Sequence, residues 1–240
     1  LAALLILAAS TRSIKSAFEL ARILNNPELV PQEERFNSEL ISTYQNAVYD
    51  DPQVRTYLAL AMGATRNEQF GEALIVGIID ENIQSKLGAV KALGQIGYNP
   101  AVPNLREFLD KSKSDDLRLA ATISLGMIGD TLITPDLLLM LDDDEPNIRW
   151  ESAIALAKMG NLKAIPVIIN LLQREYLDRF PNVDNWEKIQ ALLVAIHTTS
   201  ILKSNDFIPY LLELAKNDIN MKVRDSAIKT LNKTYNREIS

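Results

Sequence analysis

Asp115-Asp116-Leu117-Arg118-Leu119-Ala120-Ala121-Thr122-Ile123-Ser124-Leu125-Gly126-Met127-Ile128-Gly129 opens on two carboxylates, runs through helix formers around one arginine, and stops at a glycine that follows an apolar residue. Carboxylates favour the positive end of a helix, and glycine takes the left-handed conformation beyond its far end without a steric penalty. The stretch therefore reads as one complete helix of about four turns.

The same helix recurs along the chain, and a period of this size decides the architecture. Val54-Arg55, Ile148-Arg149 and Val223-Arg224 align with Leu117-Arg118, while Lys86 and Lys188 are the basic residues of two further copies; the successive spacings are 31, 32, 31, 39 and 36 residues. Three positions after the basic residue stand Leu58, Ala89, Ala121, Ser152, Ala191 and Ala227; seven after it stand Met62, Leu93, Leu125, Leu156, Ala195 and Leu231. Eleven after it come Gly97, Gly129 and Gly160. Polar turns rich in aspartate precede the copies, and Pro52 and Pro146 fit a first helical turn, where a missing N–H is harmless. Between the copies, 99–111 and 163–174 repeat apolar residues at helical spacing, with Val102, Leu105, Phe108 and Leu109 in one and Ile165, Ile168, Leu171 and Leu172 in the other. Each repeat is thus a helical hairpin. No segment alternates like a strand, so the sequence predicts an all-α, right-handed α-α superhelix of about six hairpins.

Composition narrows the chemistry. The 240 residues include 25 Lys plus Arg, 31 Asp plus Glu, 47% apolar residues, no cysteine and one histidine, His197. Without cysteine there is no disulfide framework, thiolate nucleophile or Cys-based metal site, and a single histidine excludes multi-histidine metal chemistry. Neither a catalytic set nor a metal or cofactor site is expected. The net charge of −6, with no Lys/Arg cluster, argues against nucleic-acid binding, including a DNA-lesion enzyme built on helical repeats. No apolar run is long enough to span a membrane. The compartment stays open between cytoplasmic and periplasmic. Residues 1–10 have two readings, the remnant of a signal peptide or a buried helix of a chain that continues upstream, and the repeat favours the second.

The pattern Asp-x-x-x-(Val/Leu/Ile)-Arg-x-x-Ala-x-x-x-Leu-Gly-x-Ile-Gly, best seen in Asp115 to Gly129 and Glu145 to Gly160, resembles the HEAT repeat, especially the bacterial HEAT-like variant also found in phycobilin lyases. The resemblance spans 50–236 and sets a division into degenerate N-terminal repeats over 1–49 and a solenoid over 50–240 with a polar C-terminal capping helix. It implies an aspartate–arginine ladder between repeats, here Asp51 with Arg55, Asp116 with Arg118, Asp144 with Arg149 and Asp218 with Arg224. Lys86 and Lys188 depart from it and cannot make the bidentate pair. Proteins with this fold are scaffolds, receptors, adaptors and occasionally enzymes, so the motif decides fold rather than function.

At about 100° per residue, positions one, five and eight after the basic residue point away from the core. In a HEAT-like solenoid these line the concave surface, which places Leu87, Lys91, Leu119, Ile123, Trp150, Ile154, Ile189 and Leu193 there. Exposed, they form an apolar stripe larger than monomers tolerate, with Trp150 the central anchor of a groove for a partner segment; self-burial within the solenoid is the competing reading. Gly94 and Gly126 on this face admit either a partner backbone or tight helix packing. The 39-residue spacing comes from an insertion at 175–186 whose Tyr176, Phe180 and Trp186 serve recognition or fold back to plug the widened gap. Asp142 to Glu145 lacks calcium-loop spacing and reads as a capping turn. The leading expectation is a non-enzymatic scaffold or adaptor binding a protein partner in its concave groove. The alternative is a tetrapyrrole (phycobilin) lyase or chaperone-like subunit using the same groove, with Arg149 or Lys91 near the propionates.

Overall fold

A computed structural model describes residues 13–47 and 51–237, and every structural statement below concerns these residues. They contain helices and short 3-10 turns but no strand, as the hairpin pattern requires. They form two compact units, one ending at Ile133 and one beginning at Thr134.

In the first unit, α1 (Ile14–Leu24), α3 (Pro52–Thr65), α5 (Ile83–Ile96) and α7 (Asp115–Ile128) pack one against the next, while α2 (Glu34–Asn46), α4 (Gly71–Gly77) and α6 (Val102–Glu107) are the shorter or outer partners of the hairpins. α1 packs on α3, in the layer of second helices. The readings of residues 1–10 lie outside the described residues. Phe36, Leu40 and Tyr44 form the buried face of α2.

The second unit holds α8 (Thr134–Met140), α9 (Pro146–Lys158), α10 (Ile165–Leu171), the single turn α11 (Arg174–Leu177), α12 (Asn185–Leu202), α13 (Ile208–Asn217) and α14 (Met221–Tyr235). Here α9, α12 and α14 pack in series, and α8, α10 and α13 pack against them.

Local chemistry places each boundary. Side chains of Asp51, Asn82, Ser114, Glu145, Asp184 and Asn220 accept N–H groups from the first turns of α3, α5, α7, α9, α12 and α14. Asp184 and Glu187 form a reciprocal capping box. Several first helices grow from a 3-10 turn, of which Glu68–Phe70 and Asn205–Phe207 bury a phenylalanine completely. The repeat core follows the predicted register: every residue three or seven positions after the basic one is buried except Ala191.

At the helix ends, Gly97, Gly129 and Gly160 have φ of 70°, 75° and 74°. Arg66, eleven positions after Arg55 like those glycines after theirs, is held at φ 55° and is exposed. A side chain in the left-handed region costs about 1 kcal/mol relative to glycine. Arg66→Gly is therefore expected to stabilise the protein by about 1 kcal/mol, read as a higher urea midpoint at unchanged denaturant slope.

Candidate functional site

The repeat register fails at Ala191 because a cleft opens there. Its walls are α9, α12 and the 178–184 segment that links α11 to α12, and its volume is about 520 Å³. Trp150, Ile154, Phe180, Val183, Trp186 and Val194 supply its apolar surface. The insertion divides its aromatics between two tasks. Phe180 packs edge-on against Trp150 with centroids 5.2 Å apart, Tyr176 meets Phe180 at 5.3 Å, and Trp150 Nε1 donates to the Tyr176 hydroxyl at 3.2 Å. These three rings close the gap left by the long repeat. Trp186, at the start of α12, stays 67% exposed at the mouth. Lys188 Nζ holds the insertion through Asp178 at 3.0 Å.

Three carboxylates line this cleft, and no lysine, arginine or histidine does. Glu145 accepts the Asn147 N–H and Glu187 the Asp184 N–H, so both are occupied as caps. Glu151, one residue beyond Trp150, makes no hydrogen bond or ion pair among the described residues. Burial raises its carboxyl above the ordinary glutamate value, opposed only by the charge of Lys158. A folded-state value above the unfolded one means that the ionised form opposes folding above the folded value, and that this opposition disappears below the unfolded one. Glu151→Gln is expected to raise the thermal midpoint at neutral pH, with the gain shrinking as the solution is acidified toward the glutamate range. A pH series of melting curves checks it.

The predicted stripe is only partly exposed. Trp150 and Ile154 meet in the cleft, but Trp150 is 6% exposed and Ile154 is also buried, so Trp150 is a floor and not a free anchor. Ile189 and Leu193 are half-buried on α12 beside the cleft without lining it; the residues of α12 that line it are Glu187, Gln190, Ala191 and Val194. In the first unit Leu87 is buried, Lys91 exposed, and Leu119 and Ile123 half-buried. Gly94 serves packing: a Cβ on it would come within 2.6 Å of Ser124 Cα.

The aspartate–arginine ladder exists in a different pairing. Asp51 caps its own helix through Gln53 N–H, and Arg55 pairs instead with Asp80 of the following turn. Arg118 donates to Asp115 and not to its neighbour Asp116, at 2.8 Å. Arg149 donates to the backbone carbonyls of Asp143 and Asp144 at 2.6 and 3.0 Å, and Arg224 to the carbonyl of Asp218 at 2.6 Å. The Asp218 carboxylate, fully buried, receives both Nε and Nη2 of Arg174 at 2.5 and 2.8 Å. The acidic turn is structural too, since Asp143 accepts the Glu145 N–H at 3.0 Å. His197 is exposed on α12. Glu151, Val183, Gln190 and Val194 were missed; the available signal was the 39-residue spacing, which opens the repeat that holds them.

Among solved structures, the complex of CpcE and CpcF of phycocyanin lyase from Nostoc is similar to this chain with a TM-score of 0.63 at 17% identity, covering 96% of this chain and 84% of that one. The X-ray structure of YibA from Escherichia coli gives 0.54 at 17% identity, covering 96% and 81%. At these identities the likeness is one of fold. Comparison with curated proteins returns no match. No helix among the described residues is long and apolar enough to cross a membrane. The family model for HEAT repeats matches residues 43–126 and 109–179, more than half of the chain and including α3, α5, α7 and α9, and the chain therefore belongs to the HEAT-repeat family.

Proposed function

We propose that this chain is a non-enzymatic interaction module that docks a segment of a protein partner in the apolar cleft of its second unit. The supporting observation is Trp186, a large ring left 67% exposed at the mouth of a cleft of about 520 Å³ whose floor is Trp150 and Ile154. Exposed tryptophans beside a concave apolar surface are the usual energetic centres of docking sites. The reading uses no cofactor and no catalytic residue.

The tetrapyrrole alternative draws on the phycocyanin lyase likeness, which at 17% identity carries fold alone. The cleft's charge opposes it, because tetrapyrrole propionates would face Glu145, Glu151 and Glu187. Of the cations considered for those propionates, Arg149 is committed to two backbone carbonyls.

Affinity capture tests the docking reading, with wild-type bait beside a Trp186→Glu, Val194→Glu variant. Both residues are exposed, so the variant should keep its helical content and melting temperature. A partner held by wild type and lost by the variant supports the reading. A partner held equally by both contradicts it.

A further inference from the structure

Filling an apolar cleft removes water from every group that lines it, and here that includes a carboxyl group with no hydrogen-bond or ion-pair partner among the described residues. Glu145 and Glu187 keep their N–H donors when the cleft is occupied, whereas Glu151 has none to keep. A purely apolar occupant would leave it either as an uncompensated buried charge or as a protonated carboxyl with no partner for its polar atoms, and both are costly. An anionic occupant would add repulsion from all three carboxylates. A cation with apolar surroundings meets both demands, because the ring faces of exposed Trp186 and of the aromatic floor also attract positive charge. The absence of any basic lining residue leaves this demand unmet within the cleft itself.

We infer that the cleft selects a partner peptide that inserts a lysine or arginine side chain, flanked by apolar residues, with Glu151 as its counter-ion. This rests on the docking function proposed above and names the chemistry of its partner. Trp150 and Trp186 are the chain's two tryptophans, so its tryptophan emission, excited selectively over tyrosine, reports on this cleft.

A displayed library of random decapeptides is the probe, panned in parallel on wild type, Glu151→Gln and Trp186→Ala, each checked by circular dichroism and thermal melting. Wild type is expected to enrich peptides with lysine or arginine beside leucine or aromatic residues. A synthetic enriched peptide should quench or shift the tryptophan emission at least about tenfold more tightly than its counterpart with glutamine at the basic position, and Glu151→Gln should bind the two alike. Enrichment of neutral or acidic peptides, or an unchanged preference in Glu151→Gln, overturns the cation selection while leaving docking intact. No enrichment over Trp186→Ala overturns the docking function together with it. Sedimentation that finds a dimer dissociated by Trp186→Glu assigns the cleft to a second copy and also overturns the proposal.

Discussion

Asp80→Ala is expected to destabilise the protein by about 3 to 5 kcal/mol, because it strands a guanidinium in the interior. Arg55 and Asp80 have side chains only 8% and 9% exposed, and Arg55 also lies over the Tyr44 ring at 5.8 Å. Asp80 has a second task, accepting the Asn82 N–H that starts α5, so its loss also loosens the turn. Asp80→Asn keeps an acceptor for that turn and should fall between wild type and alanine. The double variant Arg55→Met, Asp80→Ala removes the buried charge and should recover part of the loss. Denaturant midpoints of the four proteins check the series. A loss in Asp80→Ala below about 1 kcal/mol would mean that the pair is no better than a surface one.

Gly94→Val should be comparably severe, at about 3 kcal/mol or more, for a steric reason. In a helix interior glycine is worse than alanine by about 1 kcal/mol, so an unconstrained position would improve on substitution. Gly94 is constrained by backbone: its Cβ would sit 2.6 Å from Ser124 Cα and 2.7 Å from Ser124 Cβ, and neither atom can turn aside. The helices α5 and α7 would have to separate, breaking the hydrogen bond from Ser124 Oγ to the Val90 carbonyl at 2.9 Å. Overpacking of this kind usually costs about 1 to 3 kcal/mol, and clash with main chain lies at its upper end. Gly71→Val is the control. There the close neighbour is the ring of half-buried Tyr98, a side chain rather than main chain, so a smaller effect is expected.

These two sites mark what the sequence conveys and what it withholds. The register of the repeat was legible because it is local: a small residue at +3, a large one at +7 and a left-handed stop at +11 are set by one helix and its immediate neighbours. The ladder pairing was not legible from Asp51 and Arg55, since the arginine's partner lies 25 residues further on, across a whole hairpin. Arg174 reaches over 44 residues to Asp218 for the same reason. Projection at 100° per residue treated α5 and α9 as isolated cylinders. It therefore pointed Leu87 and Trp150 away from the core and left exposure and self-burial open; both are buried, Trp150 under the insertion's own Tyr176 and Phe180.

The insertion illustrates the division most clearly. Its length and aromatic content were visible, and so were the two uses of its rings. The structure gives Tyr176 and Phe180 to closure and Trp186 to solvent, an assignment that depends on where 178–184 crosses α9 and α12. Glu151 was invisible for a related reason. A glutamate in the middle of a helix reads as a solvated face until a neighbouring segment encloses it.

Hydrogen–deuterium exchange on the protein with and without its captured partner tests the central claim most directly. The cleft account predicts slowed exchange in 178–194 and in the first turns of α9 on complex formation, with the first unit unchanged. Protection confined to α3, α5 and α7, leaving 178–194 as in the free protein, would contradict it.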